Sequence, residues 1–367
     1  MSFSEFASWQ REASMLLSEY HPKFVHKLQI NEQSNIHPDK SNFNKNNVSQ
    51  KFKTNYPVIK VSSYFDINKI VGKLKGYFEA YGIKILYRGQ GKRYRLEQFP
   101  SLFRKHLSYN SDTKKEVGIT PYKSLLMVYE AFLEEVEKRI VTQNKSNTSN
   151  ESLLSLEPRL AHYGINSRYI DLVDNLQIAL WFTYMSLKEK RPYTIDSRYL
   201  FIYGVIANNK VGKGVFDGKF QRLVNLREAT PPSSLRPHIQ HAWSLSDLRL
   251  LSYENYHKNV NHHYTDRGID LAGYHKYVLC VLEIDKSLIE ELLTINNKLP
   301  KILDFEIMFP SYEKDTYHAD LKALFNNSKL PTVVAGNLKI KYSTDTELHK
   351  PESCEKIIKR YFNEIDQ

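Results

Sequence analysis

The 367-residue sequence holds two cysteines, Cys280 and Cys354. Two thiols cannot build a disulfide framework, and they cannot supply the thiolates of a structural zinc site. No apolar run approaches the ~18 residues that a membrane-spanning helix needs. The densest stretch, 277–284, reads instead as a buried strand. The N-terminus, Met1-Ser-Phe-Ser-Glu-Phe, brings in acid early and lacks a basic segment leading into an apolar core, so no secretory signal is expected. There is no phosphate loop closing in Gly-Lys-Ser/Thr and no Gly-x-Gly-x-x-Gly turn. Gly89-Gln-Gly91 and Gly212-Lys-Gly214 are too short for either. The Gly-x-Ser-x-Gly elbow and the His-Glu-x-x-His helix are missing as well. These absences argue against phosphate-loop nucleotidases, Rossmann enzymes, α/β-hydrolases and zincin proteases. A cytoplasmic protein is the simplest expectation.

What is present is basic and aromatic. Lys and Arg number 52 against 41 Asp and Glu, a net charge of +11. That permits an anionic partner such as nucleic acid, NAD or an acidic protein, although the excess is spread along the chain rather than gathered in a tail. The 25 Tyr and 18 Phe can stack on bases or line ribose pockets, and most of them serve the core. With 41% hydrophobic and 25% charged residues, the chain is globular and long enough for one large domain or two.

Periodicity predicts helices over 2–20, 62–81, 124–140, 155–163, 176–187, 286–293, 301–309 and 318–325, and a last one near 356–362. Strands are expected at 83–88, 166–171, 199–206 and 277–284. Segments 31–56 and 144–152 read as polar linkers, and 208–244 as a basic loop broken by Pro231, Pro232 and Pro237. The order is α+β, with mixed or antiparallel strands and surrounding helices, rather than a regular βαβ alternation.

Four clusters carry chemistry. In Tyr87-Arg88-Gly89-Gln90 an arginine closes a strand and a glycine lets backbone approach a ligand. A guanidinium there can bond two oxygens of a diphosphate, or it can pair with a buried carboxylate. Pro100-Ser-Leu-Phe-Arg104 offers a second cation. The run from Ala161 to Asp171 holds His162, Tyr163, Gly164, Ser167 and Arg168. His162 at a helix end either satisfies helix carbonyls or faces a pocket, and Asp171 is either a cap or a charged site residue. The basic loop supplies Arg236, His238, Gln240, His241 and Trp243. Its histidines have no fixed carboxylate partner in the pattern, so no metal site is expected.

Taken together, these clusters resemble the FRG domain family, named for a Phe-Arg-Gly motif. Tyr87 to Gln90 stands for its aromatic-Arg-Gly-Gln element, and Pro100 to Arg104 matches Pro-Ser-Leu-aromatic-Arg in full. The Gln-His-Tyr-Gly-Leu-Pro-Thr-Arg-Leu-Leu-Asp-Trp-Thr signature corresponds to Ala161 through Val173, keeping His162, Tyr163, Gly164, Arg168 and Asp171. It departs at Ala161, Asn166-Ser167 and Leu172-Val173. Ala179 to Phe182 is similar to the helix that follows, and Arg236, Gln240 and Trp243 to a late motif. Phe309-Pro310 is similar to a C-terminal feature. The domains implied are an N-terminal helical segment 1–81, an FRG domain 82–330 and a C-terminal extension 331–367.

The family's layout looks like that of ADP-ribosyltransferases, which implies NAD as substrate. Arg88 would hold the diphosphate or the nicotinamide ribose, and Ser167 or Asp171 would position the nicotinamide end. Gln240 would fall where a late acid usually contacts ribose, and His162 and Tyr163 would shape the pocket. The implied catalytic set is Arg88, Asp171, Gln240 and His162. The implied binding set is Tyr87, Gly89, Gln90, Arg104, Tyr163, Ser167, Arg168 and Arg236. A bacterial toxin or phage-defence role fits this chemistry, with nucleic acid or protein as acceptor. The alternatives are a non-catalytic nucleic-acid-binding module using 210–227 and 236–249, and a metal-dependent nuclease using Asp304 and Glu306.

Overall fold

Short apolar strands, most of them covered on both faces, assemble into one ten-stranded mixed sheet flanked by helices. The computed structural model describes residues 3–21, 23–24, 56–92, 100–102, 129–138 (without 131 and 135), 153–187, 189–194, 196–218, 220–248, 251, 274–294, 298 and 300–325. Arg104, nearly all of the linker 31–56, the linker 144–152 and the extension 331–367, where a helix is expected near 356–362, lie outside the described residues.

Helix α1 (Phe3–Leu16) and the short strand β1 (Lys23–Phe24) come first, followed by β2 (Pro57–Val61). Helix α2 (Tyr64–Glu79) starts where Ser63 accepts the backbone N–H of Asp66 at 3.1 Å, a side-chain cap that satisfies a free donor of the first turn. Its buried stripe, Ile67, Ile70, Val71, Leu74 and Phe78, follows the expected helical spacing. Strand β3 (Ile83–Gln90) runs next, and the described residues between 129 and 138 are helical, with Tyr129, Phe132 and Val136 buried.

Helix α3 (Leu156–Ala161), strand β4 (Ile170–Val173) and helix α4 (Leu176–Tyr184) follow. A small separate hairpin pairs β5 (Met185–Ser186) with β6 (Arg191–Pro192). Then come β7 (Ser197–Ile206), β8 (Lys210–Gly212), β9 (Val215–Asp217), β10 (Gln221–Asn225), helices α5 (Leu226–Ala229) and α6 (Leu235–Ile239), and β11 (Ala242–Asp247). Strand β12 (Val278–Asp285) and helices α7 (Lys286–Leu293), α8 (Phe305–Met308) and α9 (Thr316–Phe325) complete the described chain.

The strand order is β1-β2-β12-β7-β3-β4-β11-β10-β9-β8. Among the described pairs only β2 and β12 run parallel. The central strands β7 and β12 are nearly continuous apolar runs because both faces are covered. The class is α+β, as expected. Among the described residues no helix is long and apolar enough to cross a membrane.

Several elements differ from the sequence reading. Segment 208–244 is not a loop but holds β8, β9, β10, α5, α6 and the start of β11. Its strands are three to five residues long. Polar positions such as Lys210 and Arg222 break their alternation, and the pairing of Arg222 with Ser246 supplies the order that local pattern lacks. Strand β2 is too short to stand out between its neighbours. Segment 301–309 splits into a 3-10 turn, Lys301–Leu303, and α8. Strand β4 begins at Ile170 because residues 165–169 form an irregular segment around a buried Arg168.

Helix α4 lies directly on the backbone of β3. A Cβ at Gly89 would overlap the carbonyl oxygen of Ala179 and sit 2.9 Å from the backbone nitrogen of Thr183. Gly89→Ala should therefore lower stability by about 3 kcal/mol or more through overpacking. Gly76→Ala, in α2 with nothing within 4 Å of the new Cβ, should raise it by roughly 0.5–1 kcal/mol. Thermal unfolding of the two variants checks the contrast, and equal stabilities would contradict the close contact.

Candidate functional site

Two strands that part create the site. Strands β3 and β4 are in register at Tyr87–Val173, the one described pair between them. Beyond it they diverge and leave a cleft of about 210 Å³. Arg88, Ser101, Gly164, Asn166, Tyr169 and Asp171 line it. Gly164, in the left-handed region at φ 92°, reverses the chain after α3 so that 165–169 can lead into β4.

Neighbouring strand residues point to opposite faces. Tyr87 therefore goes into the core while Arg88 reaches the cleft. Burial first, and the Glu79 and Asp174 carboxylates after it, push the Tyr87 phenol well above its ordinary pKa. Arg88 donates from Nη1 to the Asp171 carbonyl at 3.0 Å, and its buried Nε has no hydrogen-bond partner among the described residues.

A row of polar groups stands behind Asp171. Its side chain is 49% exposed, whereas that of His162, 3.5 Å away from Nε2 to Oδ1, is 5% exposed. His162 Nδ1 lies 3.0 Å from Gln240 Oε1, and Gln240 Nε2 donates to the Met308 carbonyl at 2.7 Å. Ser244 Oγ is 3.5 Å from Asp171 Oδ1. The carboxylate thus sits between serine and imidazole. A nucleophilic serine needs the imidazole in the middle, so this row does not activate Ser244.

Other expected site residues hold this row in place. Arg236 donates to the carbonyls of His162 at 3.2 Å and Pro310 at 3.4 Å, lies 3.1 Å from His318 Nδ1, and packs over the rings of Tyr163 and Phe309. Burial pulls its pKa below the ordinary arginine value. Tyr163 donates to Asp315 at 2.8 Å, and burial together with that carboxylate raises its pKa. Ser167 is buried, its backbone N–H bonded to Ser101 Oγ at 2.9 Å.

Arg168 is turned away from the cleft. Its Nε and Nη2 meet Glu157 at 3.0 and 2.7 Å, its Nη1 meets Glu130 at 3.2 Å, and its backbone N–H donates to Glu157 at 2.6 Å. Its carbonyl accepts from Ser246 at 2.8 Å and Tyr274 at 2.9 Å. Burial opposes its charge, but Glu157 outweighs burial and the pKa lies above the ordinary arginine value. Of the expected residues, Arg88 and Asp171 face the cleft, and His162 and Gln240 line up behind Asp171. Arg236, Tyr163, Ser167 and Arg168 shape the surrounding backbone. Gly89 lies under α4, and Tyr87 and Gln90 are buried. Gln240, expected against a ribose, is turned inward with both amide atoms engaged.

Sequence reasoning passed over Ser101, Asn166 and Tyr169 on the cleft wall, although all three lie within or beside the quoted motifs. It also missed Glu157, which pairs with Arg168 across a turn, and Asp315 and the Met308 carbonyl, whose partners Tyr163 and Gln240 are distant in sequence.

A second polar cluster closes the other end of β4. Asp174 accepts from Arg227 and from Trp243 Nε1 at 2.9 Å, and lies 3.2 Å from His241 Nδ1. His238 Nε2 lies 3.1 Å from the Pro231 carbonyl. Both loop histidines are thus engaged within the fold. Asp304 precedes α8 and is exposed, as is Glu306. Among the described residues no three His, Cys, Asp or Glu side chains are grouped to hold a metal ion.

The buried Arg168–Glu157 pair gives a stability test. Arg168→Met leaves the Glu157 carboxylate buried without its main partner, which should cost about 3–5 kcal/mol, while the double variant Arg168→Met/Glu157→Leu should recover much of the loss. Chemical denaturation measures both, and an unchanged Arg168→Met would contradict the arrangement.

No curated protein and no solved structure matches the chain. The match that exists falls on the cleft itself, at residues 83–191, which include Arg88, His162 and Asp171 but stop short of Arg236 and Gln240. That segment fits the family model of the FRG domain, and the chain carries an FRG domain.

Proposed function

We propose that the chain binds NAD at this cleft and breaks the bond between nicotinamide and ribose, passing the ADP-ribosyl group to an acceptor or to water. One observation carries the reading: the half-exposed carboxylate of Asp171 and the guanidinium of Arg88 line the same cleft. Each suits one part of the substrate. Arg88 keeps a buried Nε without a partner among the described residues, and a guanidinium offers parallel donors to a diphosphate. Asp171 supplies negative charge where the reaction develops positive charge.

When the glycosidic bond breaks, its electron pair leaves with nicotinamide and C1′ of the ribose becomes oxocarbenium-like. Asp171 stabilises that charge, a contribution of about 3 kcal/mol, or on the order of 10²-fold in rate. A new bond then forms between C1′ and an acceptor oxygen, and Asp171 takes the acceptor's proton. Gln240 carries no charge and faces inward, which leaves Asp171 as the carboxylate for this step. A cleft of 210 Å³ is smaller than the roughly 300–1,000 Å³ that enclose a drug-sized ligand. It takes one end of the dinucleotide, and the rest lies along the surface.

The net charge of +11 favours an anionic acceptor such as nucleic acid. A cytoplasmic setting supplies NAD, and a toxin or phage-defence role suits a reaction that consumes it or modifies essential molecules.

The test is release of nicotinamide from labelled NAD by the purified full chain, alone and with oligonucleotides or cell lysate. Release should fall by at least about 10²-fold in Arg88→Ala and in Asp171→Asn, with thermal unfolding confirming that both variants fold. No release under any of these conditions would overturn the reading. If oligonucleotides then bind with affinity that drops steeply as salt rises, the nucleic-acid-binding alternative takes its place.

A further inference from the structure

We propose that Gln240 is a positioning residue that fixes the tautomer of His162, leaving Nε2 as the lone-pair atom that can accept a proton behind Asp171. The reaction step below rests on the NAD reading; the tautomer does not.

The Met308 carbonyl oxygen can only accept a hydrogen bond. The Gln240 atom 2.7 Å from it is therefore the amide nitrogen, and Oε1 is the atom 3.0 Å from His162 Nδ1. An amide oxygen can only accept, so Nδ1 carries the hydrogen. A neutral imidazole has one N–H, and its other nitrogen presents a lone pair. That lone pair, on Nε2, faces Asp171 Oδ1 at 3.5 Å from within a ring that is 5% exposed. Nε2 has no hydrogen-bond partner among the described residues.

Two acceptors facing one another, one of them on a buried ring, repel. A single proton between them turns that repulsion into a charge-assisted hydrogen bond. The pair of Asp171 and His162 is thus built to take one proton. Asp171 approaches the His162 ring from β4, and Arg236 from α6 holds the ring's own backbone carbonyl at 3.2 Å.

This supplies a destination for the acceptor's proton. As the acceptor oxygen bonds to C1′ and the nicotinamide departs with the glycosidic electron pair, the acceptor O–H breaks. Its proton moves to the Asp171 carboxylate and on to His162 Nε2, returning Asp171 to its charged form. With the opposite tautomer, Nε2 would already carry hydrogen and could accept nothing.

The experiment uses the full chain with ¹⁵N-labelled histidine. Long-range ¹H–¹⁵N correlations show which ring nitrogen carries hydrogen once the ring is neutral. The chain has 13 histidines, and the His162 signals are those missing in His162→Gln. The expected wild-type result is the Nδ1–H tautomer. Gln240→Met, similar in size but unable to accept, should shift the ring toward Nε2–H, the form free histidine favours. It should also slow nicotinamide release on the order of 10²-fold. A neutral wild-type ring protonated on Nε2 overturns the proposal, and that spectrum needs no variant to fold. An unchanged tautomer in Gln240→Met overturns it too. If NAD is not consumed while the ring is Nδ1–H and responds to Gln240→Met, the positioning role stands and only the NAD reading fails.

Discussion

The buried ion pair between Arg168 and Glu157 is the contact on which the cleft depends. It lies between the two residues that must meet, His162 at the end of α3 and Asp171 at the start of β4. The segment joining them has no regular structure. Its shape is imposed by Arg168, whose guanidinium reaches Glu157 and Glu130 while its carbonyl takes hydrogen bonds from Ser246 and Tyr274. A buried pair of this sort adds little net stability compared with apolar packing, yet losing either partner is costly. Its value here is positional: it sets the path of residues 163–169, and that path brings a carboxylate to within 3.5 Å of an imidazole.

The rest of the site is arranged in depth. Asp171 and Arg88 meet solvent at the cleft, His162 lies one layer in, and Gln240 and the Met308 carbonyl lie behind it. Arg236 ties the turn after α3 to the segment around Pro310. Long-range contacts of this kind hold the Asp171 carboxylate in place, as the proposed stabilisation of positive charge requires. Gly89 belongs to the same design, because α4 can rest on β3 only where no side chain intervenes. The Asp174 cluster then fixes the far end of β4 to Arg227, His241 and Trp243.

Much of the fold was legible where local pattern and tertiary burial agree. Helix α2 carries its apolar stripe at helical spacing behind a serine cap, and α7 spans the expected residues 286–293. Strands β8, β9 and β10 were not legible, since they are short and draw their order from pairing with one another and with β11. The site shows the same division. The motifs pointed to Arg88, His162, Asp171 and Gln240, and the structure groups all four. They could not separate Arg88 from Arg168, because an arginine beside a strand looks the same whether it faces a cleft or a buried acid. Glu157, eleven residues earlier, decides that question across a turn. Nor could they show that Gln240 faces inward, since its partner is a backbone carbonyl with no side-chain signature.

The central claim is that Arg88 and Asp171 receive the two parts of one dinucleotide. A crystal structure of the full chain with an NAD analogue that cannot release nicotinamide tests it most directly. The account predicts the diphosphate within hydrogen-bond distance of the Arg88 guanidinium and the nicotinamide ribose against the Asp171 carboxylate. An analogue bound elsewhere on the molecule, with both side chains untouched, would contradict it.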